Sequence, residues 1–228
     1  LDIAIIGLGC RFPEAPNPLA FWKLIRRGGL TFRPIPVSRW NHRLFFDDRP
    51  RSLDKTYVEQ GAFLDDDELK QFAALHFGMA ARRVQVTDPQ HRLLLDAVRC
   101  AIQDAGYEGR GFCRERTGVF VGASVSEHKE LHLSRLRAMQ LLDGNFGKKP
   151  GGISSGVELS VVEDVAATRA FSIPGNLLNM AAATVAQFYD LGGPAFAIDA
   201  ACSSALVALH NALMHLRTQQ LDLAVTGG

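Results

Sequence analysis

The sequence predicts an α/β protein in which helices cover a sheet. Short continuous apolar runs at 3–6, 117–121 and 195–198 alternate with segments whose apolar residues recur at helical spacing. The 228 residues are 47% hydrophobic and 21% charged, enough to bury a sizeable core and unlike a disordered chain.

Along the chain, Leu1–Ile6 reads as a buried strand ending at Gly7. Asn17 then serves as N-cap with Pro18 at the first helical position. Phe21, Leu24 and Ile25 share a face, and Gly28-Gly29 stops the helix. Residues 30–65, with Pro34, Pro36 and Pro50, read as irregular and wrapped on the surface. Asp88-Pro89 opens a second helix with Leu94, Val98, Ala101, Ile102 and Ala105 on one face and Gly106 at its end. Thr117–Val121 is a short buried strand, and 126–143 reads as a charged helix. Gly144–Gly156 holds five glycines and reads as a loop. Segments 158–169 and 177–189 read as helices, Gly192-Gly193-Pro194 as a turn and Ala195–Asp199 as a strand. A helix follows from about Ser203 to Arg217, with Leu206, Leu209, Leu213 and Leu216 along one face. Leu221–Gly228 is a final strand. Both ends fall on strand-like segments, so the chain is expected to be cut from something longer.

Lys plus Arg is 25 and Asp plus Glu is 24, a net charge of +1, so no basic field points to nucleic acid or an anionic membrane. No apolar run reaches the roughly 20 residues of a spanning helix. Four cysteines without a C-x-x-C pair argue against a zinc or redox motif and for a reduced, cytoplasmic protein. Cys10, Cys100 and Cys113 read as small buried hydrophobes. Among the seven histidines, only His128 and His132 have an i,i+4 spacing; they lack a zincin's glutamate and read as a solvated helix face. No metal ligand set emerges.

Two short motifs lack the context their chemistry needs. Gly7-Leu8-Gly9 follows a strand, but position 12 is Phe12 and the next helix starts too late to meet a pyrophosphate, so it reads as a turn. Gly152-Ile153-Ser154-Ser155-Gly156 matches a nucleophile elbow. The stretch before it, Asn145–Pro150, cannot be a central strand, which disfavours an α/β-hydrolase using Ser154.

The strong signal is Phe196–Leu206. A buried strand turns through small residues, and Cys202 falls at the start of a helix. Unpaired N–H groups and the positive dipole end favour a thiolate there. Ala200, Ala201, Ser203, Ser204 and Ala205 leave room for a substrate. The backbone N–H of Cys202 is a candidate oxyanion donor. Spacing alone leaves two readings open, a nucleophile and a structural cysteine at a helix end.

These residues resemble the N-terminal half of a β-ketoacyl synthase, the ketosynthase domain of type I modular polyketide synthases. Ile5–Pro13 is similar to its opening signature, with Phe21-Trp22 following. Arg39-Trp40, Gly61–Leu64 and His76-Phe77-Gly78 resemble later landmarks. Thr87–Leu95 resembles its characteristic helix start, Val119–Gly122 its next strand and Asp199–Leu206 its active-site block. The resemblance implies residues 1–228 as the N-terminal part of a ketosynthase, with the second half absent from this chain. It further implies a thiolase-like fold of two stacked α/β halves and a homodimer. Cys202 is implied as the acyl-thioester nucleophile of a decarboxylative Claisen condensation with a malonyl-type extender. No cofactor belongs to the domain itself. Its substrates ride on the phosphopantetheine of an acyl carrier protein, and its partners are that carrier, a neighbouring acyltransferase and other synthase domains.

The two histidines and the lysine of the family lie in the second half. His210 follows Cys202 by eight residues, about 12 Å of helical rise, and His215 is farther, so neither substitutes and the fragment alone is expected not to condense. Thr184-Val185-Ala186-Gln187 stands where Arg-Ile-Ser-Tyr is expected, which questions the packing beneath the active-site strand. A fatty-acid β-ketoacyl synthase and a catalytically silent docking or dimerisation module are the competing readings. The Cys10–Pro13 signature argues against the first, and the presence of Cys202 against the second.

Overall fold

The computed structural model describes residues 2–70, 72, 74–142 and 168–228. The expected loop at 144–156, with Ser154, and nearly all of the expected helix at 158–169 lie outside them.

Helix α1 (Pro18–Arg26) begins as its cap residues dictate: Asn17 Oδ1 accepts the Ala20 N–H at 2.9 Å, and Gly28 turns away at φ 62°. The 30–65 stretch is less irregular than expected. Strands β1 (Phe32–Pro34) and β2 (Gln60–Ala62) pair antiparallel within it, and Arg33 pairs with Asp65 at 2.6 Å. Short helices α2 (Asp66–Lys70) and α3 (Ala81–Val84) lead to α4 (Pro89–Asp104), then β3 (Thr117–Gly122) and α5 (Glu127–Leu142). Helix α6 (Asn179–Tyr189), strand β4 (Ala195–Ile198), helix α7 (Ser204–Arg217) and strand β5 (Leu223–Gly227) complete the order.

β3, β4 and β5 form a parallel sheet in the order β4-β3-β5, with Val119 opposite Ala195 on one side and Val225 on the other. The period-2 geometry of β3 separates two layers. Val119 and Val121 pack with Leu95 and Val98 of α4 and Ala182 and Val185 of α6. Phe120 points the other way, onto Ala208 and Ala212 of α7. Phe120, Val119 and Leu95 are fully buried, each worth about 1.5–3 kcal/mol in transfer free energy. Thr184 and Val185 are also buried, so the sequence that departs from Arg-Ile-Ser-Tyr packs soundly under the sheet.

Three expectations change. Residues 2–10 form no strand: Ile3–Leu8 pass β5 across an apolar cavity of about 440 Å³, and no ladder closes. Nor is Gly7-Leu8-Gly9 a turn. The backbone lies directly on α4, where a Cβ at Gly7 would stand 2.1 Å from the Ala101 carbonyl oxygen and one at Gly9 2.0 Å from that of Ala97. The leucine face of α7 does not share one environment: Leu216 packs against the Phe120 cluster, Leu209 and Leu213 line the cavity beside β5, and Leu206 faces outward. Ser204, Ala208 and Ala212, small residues one turn apart, let the helix lie close to the sheet, which leaves Leu206 71% exposed.

Candidate active site

The carboxyl ends of the parallel strands converge beneath one turn. A Cβ at Gly122, the last residue of β3, would stand 2.6 Å from Ser204 C and Ala205 N, so α7 starts directly on the strand end. A Cβ at Gly228, just after β5, would stand 2.6 Å from Gly122 O. Ligand sites of open parallel sheets lie at this edge.

Cys202 is exposed at that edge. It lies two residues before α7, inside a 3-10 turn over Ala201–Ser203, so the helix start expected at Cys202 holds with one extra turn ahead of the helix. The extra turn follows from Ala201, which adopts φ 49°. Left-handed backbone costs a non-glycine residue about 1–2 kcal/mol and persists only where its surroundings hold it. Here Ala201 N donates to Asp199 Oδ1 at 3.0 Å and Ala200 N to Ser204 Oγ at 2.9 Å. Ser204 Oγ donates back to the Ala201 carbonyl and Ser203 Oγ to that of Ala200, each at 2.7 Å. The Ala201 N–H, aided by the Ser124 hydroxyl, holds the Asp199 carboxyl below its ordinary range.

These bonds pass over the Cys202 N–H. Ser203 N donates to Ala200 O and Ser204 N to Ala201 O, and among the described residues no hydrogen bond engages the Cys202 amide. An accessible thiol therefore sits beside a free amide donor, the arrangement a carbonyl under attack by sulfur requires.

The sequence readings of Ser204 and Ser124 fell short. Ser204 reads there only as small, yet it is buried and ties the turn together. Ser124 does not stand out in the sequence at all, yet its Oγ is 3.3 Å from Ser204 Oγ. Its place two residues beyond a buried strand, at the same sheet edge as Cys202, was the available signal.

The other histidines stay away from Cys202. His210 is exposed, and the His215 ring lies against Phe120 at 5.2 Å between centroids. His128 and His132 are not a solvated face. His132 is buried, the two rings meet edge-on at 4.9 Å, and His128 Nδ1 is 2.6 Å from Asn176 Oδ1. They face inward because α5 packs its start against the buried start of α4, where Ser126 Oγ donates to Asp88 Oδ2 at 2.6 Å. Cys10 and Cys100 are half-buried as small core residues, and burial pushes the Cys10 thiol up; Cys113 is exposed, against expectation. Among the described residues, no three His, Cys, Asp or Glu side chains are arranged to hold a metal ion, and no helix is long and apolar enough to cross a membrane.

Fold and site together define a parallel α/β protein of the thiolase-like class that presents a thiol at the carboxyl edge of its sheet. The family described as β-ketoacyl synthase, N-terminal domain, matches residues 1–228, and the chain belongs to it. The chain is 35% identical over 226 residues to the polyketide synthase ThaG of Burkholderia thailandensis, covering 99% of this chain and 3% of that protein. It is 33% identical over 227 residues to the lovastatin diketide synthase lovF of Aspergillus terreus, covering 99% and 8%. Among solved structures, the oxazolomycin ketosynthase domain OzmH KS7 of Streptomyces albus superposes with a TM-score of 0.75 at 31% identity, over 98% of this chain and 33% of that one. The ketosynthase from module 6 of the Bacillus subtilis bacillaene synthase gives 0.69 at 27% identity, over 97% and 30%. The chain thus spans about a third of the solved ketosynthase chains and a small share of the curated synthases.

Proposed function

We propose that the chain is the nucleophile-bearing half of a ketosynthase that extends a polyketide by decarboxylative Claisen condensation, with Cys202 as the acyl acceptor. The observation that carries this reading is the exposed Cys202 thiol beside its own unengaged amide N–H, on a turn held in a left-handed conformation. Cys202 Sγ attacks the carbonyl carbon of an acyl thioester, and the oxygen takes up negative charge facing the Cys202 N–H. The carbon–sulfur bond to the phosphopantetheine thiol of the acyl carrier protein then breaks. The acyl group is left on Cys202 for attack by the carbanion of a malonyl-type extender that has lost CO₂. Dividing the transfer in this way replaces one difficult step by two easier ones.

Within this reading the second half of the domain supplies the histidines that polarise the extender, because His210 follows Cys202 by eight residues, about 12 Å of helical rise, and the His215 ring lies against Phe120. The exposed Leu206 and Leu209 of α7 offer that half an apolar surface to stack on. A second copy fits the open edge of β4, where Phe196 is 46% exposed, in keeping with a homodimer. A neighbouring acyltransferase and further synthase domains complete the set of partners. Four free thiols suit a reducing cytoplasm.

The test is condensation by the full-length polypeptide containing these residues, given an acyl thioester and a malonyl-loaded carrier protein. The expected result is a β-ketoacyl product that disappears in Cys202→Ala. Undiminished product from Cys202→Ala overturns the reading.

A further inference from the structure

The loop 123–126, between β3 and α5, touches the nucleophile turn on one side and the start of α4 on the other. Ala123 N donates to Ile198 O at 3.0 Å, which carries the β3–β4 pairing one residue past the end of β3. Val125 O accepts from Gln90 Nε2 at 2.8 Å, and Ser126 Oγ donates to the buried Asp88 carboxylate at 2.6 Å. The loop is thus clamped on both sides of Ser124. From this fixed base Ser124 Oγ lies 3.3 Å from Ser204 Oγ, within hydrogen-bond reach, and its hydroxyl helps to hold the nearby Asp199 carboxyl below its ordinary range. Asp199 and Ser204, together with Ser203, are the side chains that hold Ala201 and Ala200 in the turn.

We propose that Ser124 is a positioning residue for acyl transfer: through Asp199 and Ser204 it fixes the turn so that the Cys202 N–H points at the oxyanion of the attacked thioester. The inference rests on the reading of Cys202 as acyl acceptor. In the step concerned, a bond forms between Cys202 Sγ and the acyl carbon, and the carbonyl oxygen carries the charge in the tetrahedral intermediate. The bond to the leaving pantetheine sulfur then breaks, and the proton lost by Cys202 ends on that thiol. Ser124 touches none of the reacting atoms. It acts by denying the left-handed turn its relaxation, since Ala201 has no glycine's freedom to hold φ 49° unaided.

A purely structural role and a positioning role separate by chemistry. Alkylation of a thiol by iodoacetamide develops no oxyanion, whereas acylation by a thioester does. The rates of both reactions at Cys202 are measured by peptide mass spectrometry in the full-length polypeptide, using an acyl-pantetheine thioester and iodoacetamide. Ser124→Ala is expected to slow acylation about tenfold, less than outright removal of an oxyanion donor, and to leave alkylation at the wild-type rate. Ser124→Thr keeps the hydroxyl and restores acylation. Asp199→Asn, which weakens the hold on the Ala201 N–H in the same turn, shows the same split and carries the test if Ser124→Ala does not fold. Wild-type acylation in both Ser124→Ala and Asp199→Asn, or an equal slowing of acylation and alkylation, overturns the proposal. If the wild-type protein takes no acyl group on Cys202, the acyl-acceptor reading falls first and the role of Ser124 falls with it.

Discussion

Two helix starts in this molecule are built in opposite ways. At α4, Asp88 is 1% exposed; its Oδ1 accepts the Gln90 N–H at 2.8 Å and its Oδ2 the Ser126 hydroxyl, while Pro89 removes an orphan donor from the first turn. At α7, Ser203 makes no side-chain cap bond to the helix, the preceding residue is an exposed cysteine, and a strained 3-10 turn stands where a cap is usual. The first end spends its donors on its own structure and is sealed. The second leaves a donor beside a thiol and is open. A helix start can supply stability or chemistry, and the side chain that fills the cap position decides which. The loop carrying Ser124 joins the two, so the sealed end braces the open one.

The largest expected effect breaks the open end alone. Cys202→Ala abolishes acyl transfer while the denaturant midpoint stays near wild type, because an exposed side chain contributes little to packing. Gly122→Ala strikes the strand end beneath the turn. Its Cβ meets backbone of α7 at 2.6 Å, so a destabilisation of about 1–3 kcal/mol is expected by chemical denaturation, with loss of acyl transfer. Asp88→Ala breaks the sealed end. Losing the cap and leaving the buried Ser126 hydroxyl proton without its acceptor costs about 2 kcal/mol, read in the same denaturation experiment, with Cys202 alkylation unchanged.

The smallest effect sharpens the comparison through pH. His91 is 1% exposed, and among the described residues neither ring nitrogen has a hydrogen-bond partner. Burial holds its imidazole below the ordinary range; the nearby Asp88 carboxylate opposes this and His128 adds to it. The unfolded chain therefore binds a proton more readily than the native one. Stability is full above the unfolded value of about 6.5 and declines as pH falls from there through the lower folded value. His91→Gln is expected to flatten that decline in pH-dependent denaturation; an unchanged slope would show that His91 is not its source.

What the sequence made legible was local. Asn17-Pro18 and Asp88-Pro89 mark their helix starts because a cap and the residues it serves are neighbours in the chain. Thr117–Val121 reads as a strand because both its faces are apolar. Cys202 stands out because strand, small residues and helix follow one another directly. What required the fold was non-local. Ile3–Ile6 has the composition of a strand, but a ladder needs a partner more than two hundred residues away. The most buried positions of α7 are its small residues Ser204, Ala208 and Ala212, with Leu216 packed beside them at the Phe120 cluster, because closeness to Phe120 decides the packing. Ser124 meets Ser204 across 80 residues, and no periodicity announces such a contact.

The central claim is that the open helix start carries the acyl group, and locating that group tests it most directly. The full-length polypeptide is incubated with an acyl-pantetheine thioester, digested, and the adduct placed by tandem mass spectrometry. The account predicts a single acyl group on Cys202, absent in Cys202→Ala. Acylation at Ser154, or at no residue, would contradict it.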